Sequence, residues 1–197
     1  MGAPPATWWL QDYFNWLKRP YYLALQSAAS VFGSNPQALQ VTQVMTNRPL
    51  RTIKAGRIRV RFFVKRGIVQ TPTQQLAQAA APLFISTPEA TAFDLVRYAS
   101  SVGGIERAAE TIRPFLSKLR VRKLKRVLAA EDEIVTAQRL GFIMDVASEK
   151  KLAQTIYDWL PATLAKVYLA PMMKKKPTSP HLVERWQVFN NSDELKL

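Results

Sequence analysis

The clearest structural signal in the sequence is a run of nine residues, Gly56-Arg57-Ile58-Arg59-Val60-Arg61-Phe62-Phe63-Val64. Charged and apolar side chains alternate in this stretch, and a period of two is typical of a β-strand with one buried face. The apolar side chains of the alternating part are expected to face a core. The side chains between them should form a row of positive charge on the opposite face, made of Arg57, Arg59 and Arg61. We therefore predict a half-buried strand whose outer face meets an anionic partner.

Positive charge dominates the rest of the chain as well, with 28 Lys and Arg against 14 Asp and Glu and a formal net charge of +14. Residues 48–66 contain eight cations and no acid. Six of these eight cations are candidate partner-binding residues: Arg48, Arg51, Lys54, Arg57, Arg59 and Arg61. Residues 113–126 contain seven cations and no acid. They predict a second basic patch, formed by Arg120, Arg122, Lys123, Lys125 and Arg126. Nucleic acid, an acidic protein surface and an anionic membrane are all compatible with such charge.

Composition limits the class of protein. The chain has 197 residues, of which 48% are apolar, so a folded unit with a sizeable core is expected. It contains no cysteine, which excludes disulfides, zinc ribbons and thiol catalysis. No apolar run approaches the roughly 18–20 residues of a membrane span, and the N-terminus does not resemble a signal peptide. A soluble protein of the cytoplasm that does not interact with membranes is the expectation.

The periodicity predicts a single α+β domain over residues 1–197. Residues 1–38 are interpreted as a helical lead-in, whose second helix runs from Tyr21 to about Phe32. Residues 39–86 are expected to form a small antiparallel sheet, to which extended pieces of the C-terminal tail, 161–197, are added. Residues 87–160 are expected to be helical, beginning at Thr87-Pro88-Glu89, where an N-cap threonine precedes a proline and an acid.

The sequence contains few of the motifs and residue combinations that are typical of enzyme active sites. There is one histidine, His181, and no nucleophile elbow, P-loop or dinucleotide-binding motif. Glu89 and Asp94 lie about 140° apart around one helix, so these carboxylates should not converge on a metal. Asp94 is interpreted as a surface partner of Arg97, and the acids 131–133 as a helix start. We predict no catalytic, cofactor-binding or metal-binding residues, and a nuclease that uses Glu89 and Asp94 remains a minor alternative.

Aromatic residues near the N-terminus have two interpretations. At helical spacing they are most often core, but exposed rings could also stack on nucleic-acid bases. The residues concerned are Trp8, Trp9, Tyr13, Phe14, Trp16, Tyr21 and Tyr22.

Four segments, read in order, resemble one family. They are Arg19-Pro20-Tyr21-Tyr22-Leu23-Ala24-Leu25-Gln26-Ser27-Ala28-Ala29, then Gly56-Arg57-Ile58-Arg59-Val60-Arg61-Phe62, then Ser86-Thr87-Pro88-Glu89-Ala90-Thr91-Ala92-Phe93-Asp94-Leu95-Val96, and finally Gln138-Arg139-Leu140-Gly141-Phe142. The chain resembles the AbiEi-type antitoxins of abortive-infection (type IV) toxin–antitoxin systems, which serve in bacterial phage defence. The third segment is the most distinctive of the four.

The resemblance implies a cytoplasmic, non-enzymatic antitoxin that counteracts a nucleotidyltransferase-like toxin. It also implies a winged-helix DNA-binding domain before the antitoxin domain, which represses the operon's promoter. Residues 4–9 resemble the junction into the antitoxin domain, so we expect a fragment or a short natural form without the winged helix. The alternative hypothesis is a nucleic-acid-binding protein, or a fragment of a transcriptional regulator, whose basic patches contact phosphate without reading sequence.

Overall fold

The structure, a computed structural model, describes residues 4–34, 41–76, 82–170 and 180–195 and has the predicted α+β class, with a mostly helical C-terminal part. Its helices are α1 (Ala6–Leu17), α2 (Leu25–Val31), α3 (Pro88–Arg97), α4 (Ala99–Val102), α5 (Ile105–Ile112), α6 (Val121–Glu131), α7 (Ile134–Val146) and α8 (Lys150–Trp159). Short 3-10 turns span Ile68–Gln70 and Arg113–Lys118. Within the described ranges, no helix is both long enough and apolar enough to cross a membrane.

Within the described ranges, nine strands form two sheets. The strands are β1 (Tyr21–Leu23), β2 (Thr42–Thr46), β3 (Ile53–Ala55), β4 (Ile58–Val64), β5 (Thr73–Gln75), β6 (Phe84–Ser86), β7 (Val167–Tyr168), β8 (His181–Val183) and β9 (Val188–Asn190). The larger sheet has the order β3-β4-β2-β1-β6-β5, and the smaller one has the order β7-β9-β8.

The larger sheet is mixed, so the prediction of an antiparallel sheet was wrong for two of its strand pairs. Strand β2 pairs with β4 in parallel, and so does β1 with β6, whereas the other pairs are antiparallel. The cause lies in the order of the strands. After β2 the chain runs along the outer edge as β3 and returns through a hairpin, so that β4 enters beside β2 in the same direction.

The predicted start of the second helix at Tyr21 was also wrong. Tyr21–Leu23 forms β1 in the middle of the sheet, and the helix begins at Leu25. All three residues of this strand are buried, since helices cover both of its faces. The ring of Tyr21 stacks on Phe14 of α1 at 4.3 Å, whereas the hydroxyl of Tyr22 donates to Asp94 of α3 on the other side. A short run buried on both faces has no period of two, so it cannot be told from a buried helix by pattern.

Strand β4 has the alternation that was predicted for it. Val60 is fully buried, while Arg59 and Arg61 are exposed. Phe62 packs towards α1, where its ring lies 6.0 Å from that of Phe14. Phe63 points the other way, towards the end of α3, so the last part of the strand is enclosed between two helical layers.

The predicted start of α3 is confirmed. The Oγ1 atom of Thr87 accepts a hydrogen bond from the backbone N–H of Ala90 at 3.3 Å, and Pro88 occupies the first helical position. Gly103 and Gly104 follow the end of the short helix α4, with φ values of 105° and 106° that favour glycine.

The C-terminal extended pieces form their own sheet and do not extend the larger one. This small sheet is anchored on α7 by Trp186, whose side chain is fully buried. The indole Nε1 donates to Oδ2 of Asp145 at 2.7 Å, and the amide of Gln138 donates to the carbonyl of Trp186 at 2.8 Å. The indole ring lies so close to Gly141 that a Cβ atom there would be 2.1 Å from Cζ3 of Trp186.

Candidate partner-binding surface

The β3–β4 hairpin carries the charged row that the sequence predicted, with one change. Ala55 pairs with Ile58, so Gly56 and Arg57 form the two-residue turn between the strands. Gly56 has a φ of 58°, which such turns require at their first central position. Arg57 therefore lies in the turn, and the strand itself contributes Arg59 and Arg61.

Lys54 takes the place in the charged row that Arg57 leaves. It lies directly opposite Arg59 in the antiparallel register, so the two side chains share one face of the hairpin. We call Lys54, Arg57, Arg59 and Arg61 the hairpin surface; all four are exposed. Within the described part of the chain, none of the four forms an ion pair. Like charges directly opposite each other on a sheet repel, so an anionic partner would relieve an unfavourable interaction here.

One cation of the row contacts an aromatic ring. The Arg61 guanidinium lies 4.8 Å from the centre of the Phe63 ring, a cation–π distance. Arg48 and Arg51 were predicted to belong to the same surface. They are exposed in the connection between β2 and β3, and they too form no ion pair among the residues that the structure describes.

Lys65 follows the hairpin surface in sequence, but it is buried, whereas the cations of the hairpin surface are exposed. It is 1% exposed, and its Nζ lies 2.6 Å from Oδ1 of Asp94 and 2.7 Å from Oε1 of Glu131. The hydroxyl of Tyr22 donates to the other oxygen of Asp94 at 2.7 Å, and Thr71 donates to Glu131 at 2.8 Å. We call these five residues the Lys65 network.

The charges of the Lys65 network are balanced with the help of Arg97. Its Nη1 lies 3.3 Å from Oε2 of Glu131, so two cations face two carboxylates. Burial, with Asp94 close by, raises the pKa of Tyr22 well above its usual value, so the phenol stays protonated as a donor. The network joins β1, the end of β4, α3 and the end of α6, which makes it an internal brace of the fold.

The sequence-based interpretations of two members of the Lys65 network, Asp94 and Glu131, were wrong. Asp94 is fully buried and pairs with Lys65 and not with Arg97 on the surface. Glu131 is the last residue of α6 and not the start of the next helix. No local pattern could reveal these pairs, because Lys65 is 29 residues from Asp94 and 66 residues from Glu131.

The second predicted patch lies on α6 and the residue before it. Leu124, Val127 and Leu128 face the core. The exposed side is covered by Arg122, Lys123, Lys125 and Arg126, which we call the α6 surface. Arg120 precedes the helix, and its Nη1 donates to the carbonyl of Ser117 at 2.6 Å, so part of its donor capacity is used within the chain.

A pocket of about 300 Å³ lies beside the end of α1 and was not predicted from the sequence. Arg19 is one of the lining residues, and its Nη1 atom is shielded from solvent and has no hydrogen-bond partner among the residues that the structure describes. A buried donor left unsatisfied costs about 1–3 kcal/mol. The described side chains that line the pocket include the polar groups of Asn15, Thr71 and Thr73 and no Asp or Glu.

The carboxylates considered for a nuclease have structural contacts. Oε1 of Glu89 accepts the backbone N–H of Arg120 at 2.8 Å, and Asp94 belongs to the Lys65 network. In the parts of the chain that the structure describes, no group of three or more His, Cys, Asp or Glu residues is placed to hold a metal ion.

The N-terminal aromatic residues divide into three sets, of which the half-buried Trp9 and Tyr13 pack against the core. Phe14, Tyr21 and Tyr22 are buried, as the core interpretation predicted. Trp8 and Trp16 are 57% and 76% exposed on the outer side of α1.

Comparison with known proteins identifies the class. The family described as the AbiEi antitoxin C-terminal domain matches residues 22–146, and the chain belongs to that family. The resemblance found in the sequence is thus confirmed. This is a family of antitoxin domains, and membership supports an antitoxin role in a toxin–antitoxin system with a toxin as partner. The matched range contains the hairpin surface, the α6 surface and the Lys65 network.

A solved structure has the same fold. The crystal structure of the RV2827C protein from Mycobacterium tuberculosis superposes with a TM-score of 0.63 and 15% sequence identity. The match covers 91% of this chain and 65% of the mycobacterial one, so the chain spans about two thirds of that protein's length. None of the curated proteins matches the sequence.

Proposed function

We propose that this chain acts as a single antitoxin domain that neutralises a nucleotidyltransferase-like toxin in the bacterial cytoplasm, as part of a type IV system of phage defence. We further propose that the hairpin surface is the contact with that toxin, or with the RNA that the toxin uses. The observation that carries the second step is the row of exposed cations on the β3–β4 hairpin, which form no ion pair among the described residues and lie inside the range that matches the antitoxin family.

Physical reasons favour the hairpin over a generally basic exterior. Lys54 and Arg59 are fixed opposite each other by backbone pairing, and Arg61 is held over the Phe63 ring. Ordered cations lose less conformational entropy on binding than cations on a mobile segment. Their uncompensated charge also accelerates association with an acidic partner.

Co-expression with the toxin gene of the same operon tests the proposal. The hairpin variant replaces Lys54, Arg59 and Arg61 by glutamine. We expect it to fold, because these side chains are exposed, and to fail in rescuing cell growth. A matched control, Arg122→Gln with Lys123→Gln and Lys125→Gln, removes the same charge from the α6 surface and should still rescue growth.

Three results would contradict the proposal. Growth arrest despite soluble wild-type protein would exclude the antitoxin function itself. Rescue by the hairpin variant would leave the function intact but remove the hairpin as its contact surface. An equal loss in both variants would show that net charge matters and that the position of the charge does not.

Nucleic-acid binding is the second candidate function, and the α6 surface favours it. Four exposed cations on one helix, in addition to the hairpin surface, could contact phosphates without reading bases. This function predicts binding to unrelated DNA and RNA sequences alike, with an affinity that falls steeply as salt rises. Fluorescence anisotropy with a labelled oligonucleotide at about 50 and 200 mM salt measures both properties. Absence of binding at the lower salt concentration excludes it.

A further inference from the structure

We propose that strand β5 binds a second copy of this chain, by antiparallel pairing of the two β5 strands around a two-fold axis. Strand β5 is the last strand at one edge of the larger sheet, and within the described ranges it pairs with β6 alone. The inference goes beyond the proposed antitoxin function and does not depend on it.

The backbone of β5 directs hydrogen-bonding groups to the open edge. Two hydrogen bonds at the ends of the β5–β6 pair show which residues face β6: the N–H of Leu76 donates to the carbonyl of Leu83 at 2.8 Å, and that of Thr87 donates to the carbonyl of Pro72 at 3.1 Å. In an antiparallel pair every second residue forms such bonds, and the residues between them turn their N–H and C=O groups to the other side. Thr73 and Gln75 therefore point these groups away from β6, where the described chain offers them no hydrogen-bond partner.

The edge is complementary to itself. If the two-fold axis passes beside Gln74, Thr73 of each copy lies opposite Gln75 of the second copy. Each strand then supplies the N–H and the C=O groups of two residues, which pair completely with those of the other strand. Such an interface uses the same patch on both copies and closes as a dimer.

The distribution of charge favours this edge for contact between copies. The opposite edge of the sheet is β3, which carries Lys54 and lies in residues 48–66 with their eight cations. Two such edges would repel each other, and charged side chains are a common means of protecting edge strands from pairing. Residues 67–88, which contain β5, include no charged residue. A chain of net charge +14 needs a neutral surface of this kind to approach its own copy.

An exposed apolar side chain lies beside the strand. Val69 is 79% exposed, and it lines the same pocket as Thr73 of β5. A second copy paired along β5 would approach this side chain and remove part of it from water, which adds a hydrophobic contribution to the backbone hydrogen bonds.

The length of β5 makes a competing prediction. Very short edge strands are one way in which proteins avoid pairing with other chains, and β5 has three residues. If its shortness protects the edge, the protein stays monomeric at every concentration. If the edge binds a second copy, a weak dimer forms at about 0.1 mM protein, since small interfaces give reversible association.

Sedimentation velocity of the full chain over a range of concentrations separates the two cases. We expect a monomer–dimer equilibrium that shifts to the dimer when salt rises from about 50 to 500 mM, because salt screens the repulsion between the basic copies. In Gln75→Pro the dissociation constant should rise about tenfold or more, since symmetry removes two hydrogen bonds at once. The unfolding midpoint of this variant should stay the same, because the N–H of Gln75 does not pair with β6.

A cysteine cross-link tests the register, since the chain contains no cysteine of its own. In the proposed dimer the two copies of residue 74 form a non-hydrogen-bonded pair with Cα atoms about 4.5 Å apart, which suits a disulfide. Gln74→Cys should therefore give a covalent dimer under mild oxidation. The control is Lys54→Cys, at the centre of the opposite edge strand, and it should stay monomeric although neighbouring cations make its thiol more reactive.

The proposal is overturned if the protein remains monomeric up to about 1 mM at the higher salt concentration. It is also overturned if Lys54→Cys cross-links as readily as Gln74→Cys, or if Gln75→Pro keeps its midpoint and dimerises like the wild type. A monomer whose Gln74→Cys variant does not cross-link would refute the second copy and leave the edge to a strand of another protein. If Gln75→Pro proves less stable than the wild type, the cross-linking comparison alone decides between these results.

Discussion

Replacing Lys65 by methionine removes the central cation of the buried network without shortening the side chain much. In the wild type, Nζ contacts Asp94 at 2.6 Å and Glu131 at 2.7 Å in a region from which water is excluded. Methionine fills most of the same volume, so the cavity term should be small. The dominant effect is electrostatic.

The magnitude follows from the charges that remain. Without Lys65, two buried carboxylates face one cation, Arg97, whose Nη1 lies 3.3 Å from Glu131. Among the described residues, Asp94 then retains only the hydroxyl of Tyr22 as a side-chain partner. Removal of one partner of a buried pair leaves an uncompensated charge and typically costs 3–5 kcal/mol. We therefore expect Lys65→Met to lower the free energy of unfolding by about 3–5 kcal/mol, a large part of the stability of an ordinary domain.

Urea unfolding of four proteins measures the effect: the wild type, Lys65→Met, Asp94→Asn and the double variant. In the double variant the remaining Glu131 and Arg97 carry opposite charges, so it should lose less stability than the sum of the two single variants. The control Arg66→Met removes an exposed cation next to Lys65 and should change stability by less than about 0.5 kcal/mol. The reasoning fails if Lys65→Met costs under about 1 kcal/mol, or if the two single effects are additive.

Three further perturbations test other parts of the structure. Gly141→Ala places a methyl group 2.1 Å from a ring atom of Trp186 and should cost about 1–3 kcal/mol in urea unfolding, with an altered near-UV circular dichroism signal of the indole; unchanged values would contradict the tight packing. Thr87→Ala removes the N-cap acceptor of the Ala90 N–H and should cost about 1 kcal/mol, whereas Thr87→Ser should cost less. Burial raises the pKa of Tyr98 to about 12 from 10.0, so the folded state keeps a proton that the unfolded state loses, and stability should fall as pH rises through this range. Tyr98→Phe should make that alkaline fall shallower, and an identical slope would refute the assignment.

The sequence predicted those elements whose signal is local. Alternation identified β4 because one of its faces is buried and the other is exposed over several residues. The start of α3 was visible because an N-cap threonine and a proline are adjacent in sequence. The same alternation predicted the exposed cations of the hairpin surface. The structure differs from that prediction in one respect, because Arg57 lies in the turn and not on the strand.

The elements that were missed depend on contacts between distant residues. Strand β1 is apolar on both faces, so its pattern carries no period, and its partners β2 and β6 come later in the chain. Lys65 is part of a basic run that is otherwise exposed, and nothing near it in sequence marks it as buried. The Arg19 pocket is formed by α1, β1 and the segment 68–73, which are brought together only by the sheet.

The buried lysine and the exposed arginines are physically linked through the register of β4. Alternate residues share a face, so Arg59, Arg61, Phe63 and Lys65 point to the same side of the strand. Helices cover the end of that side and leave its beginning open, and the two carboxylates meet Lys65 at the covered end. A slip of one residue would bury both arginines and expose Val60, and it would also pull Nζ of Lys65 away from both carboxylates. The ion pairs of Lys65 therefore fix which face of the strand carries the basic row. Lys65 holds the strand in register, and because of that register Arg59 and Arg61 remain exposed and available to a partner.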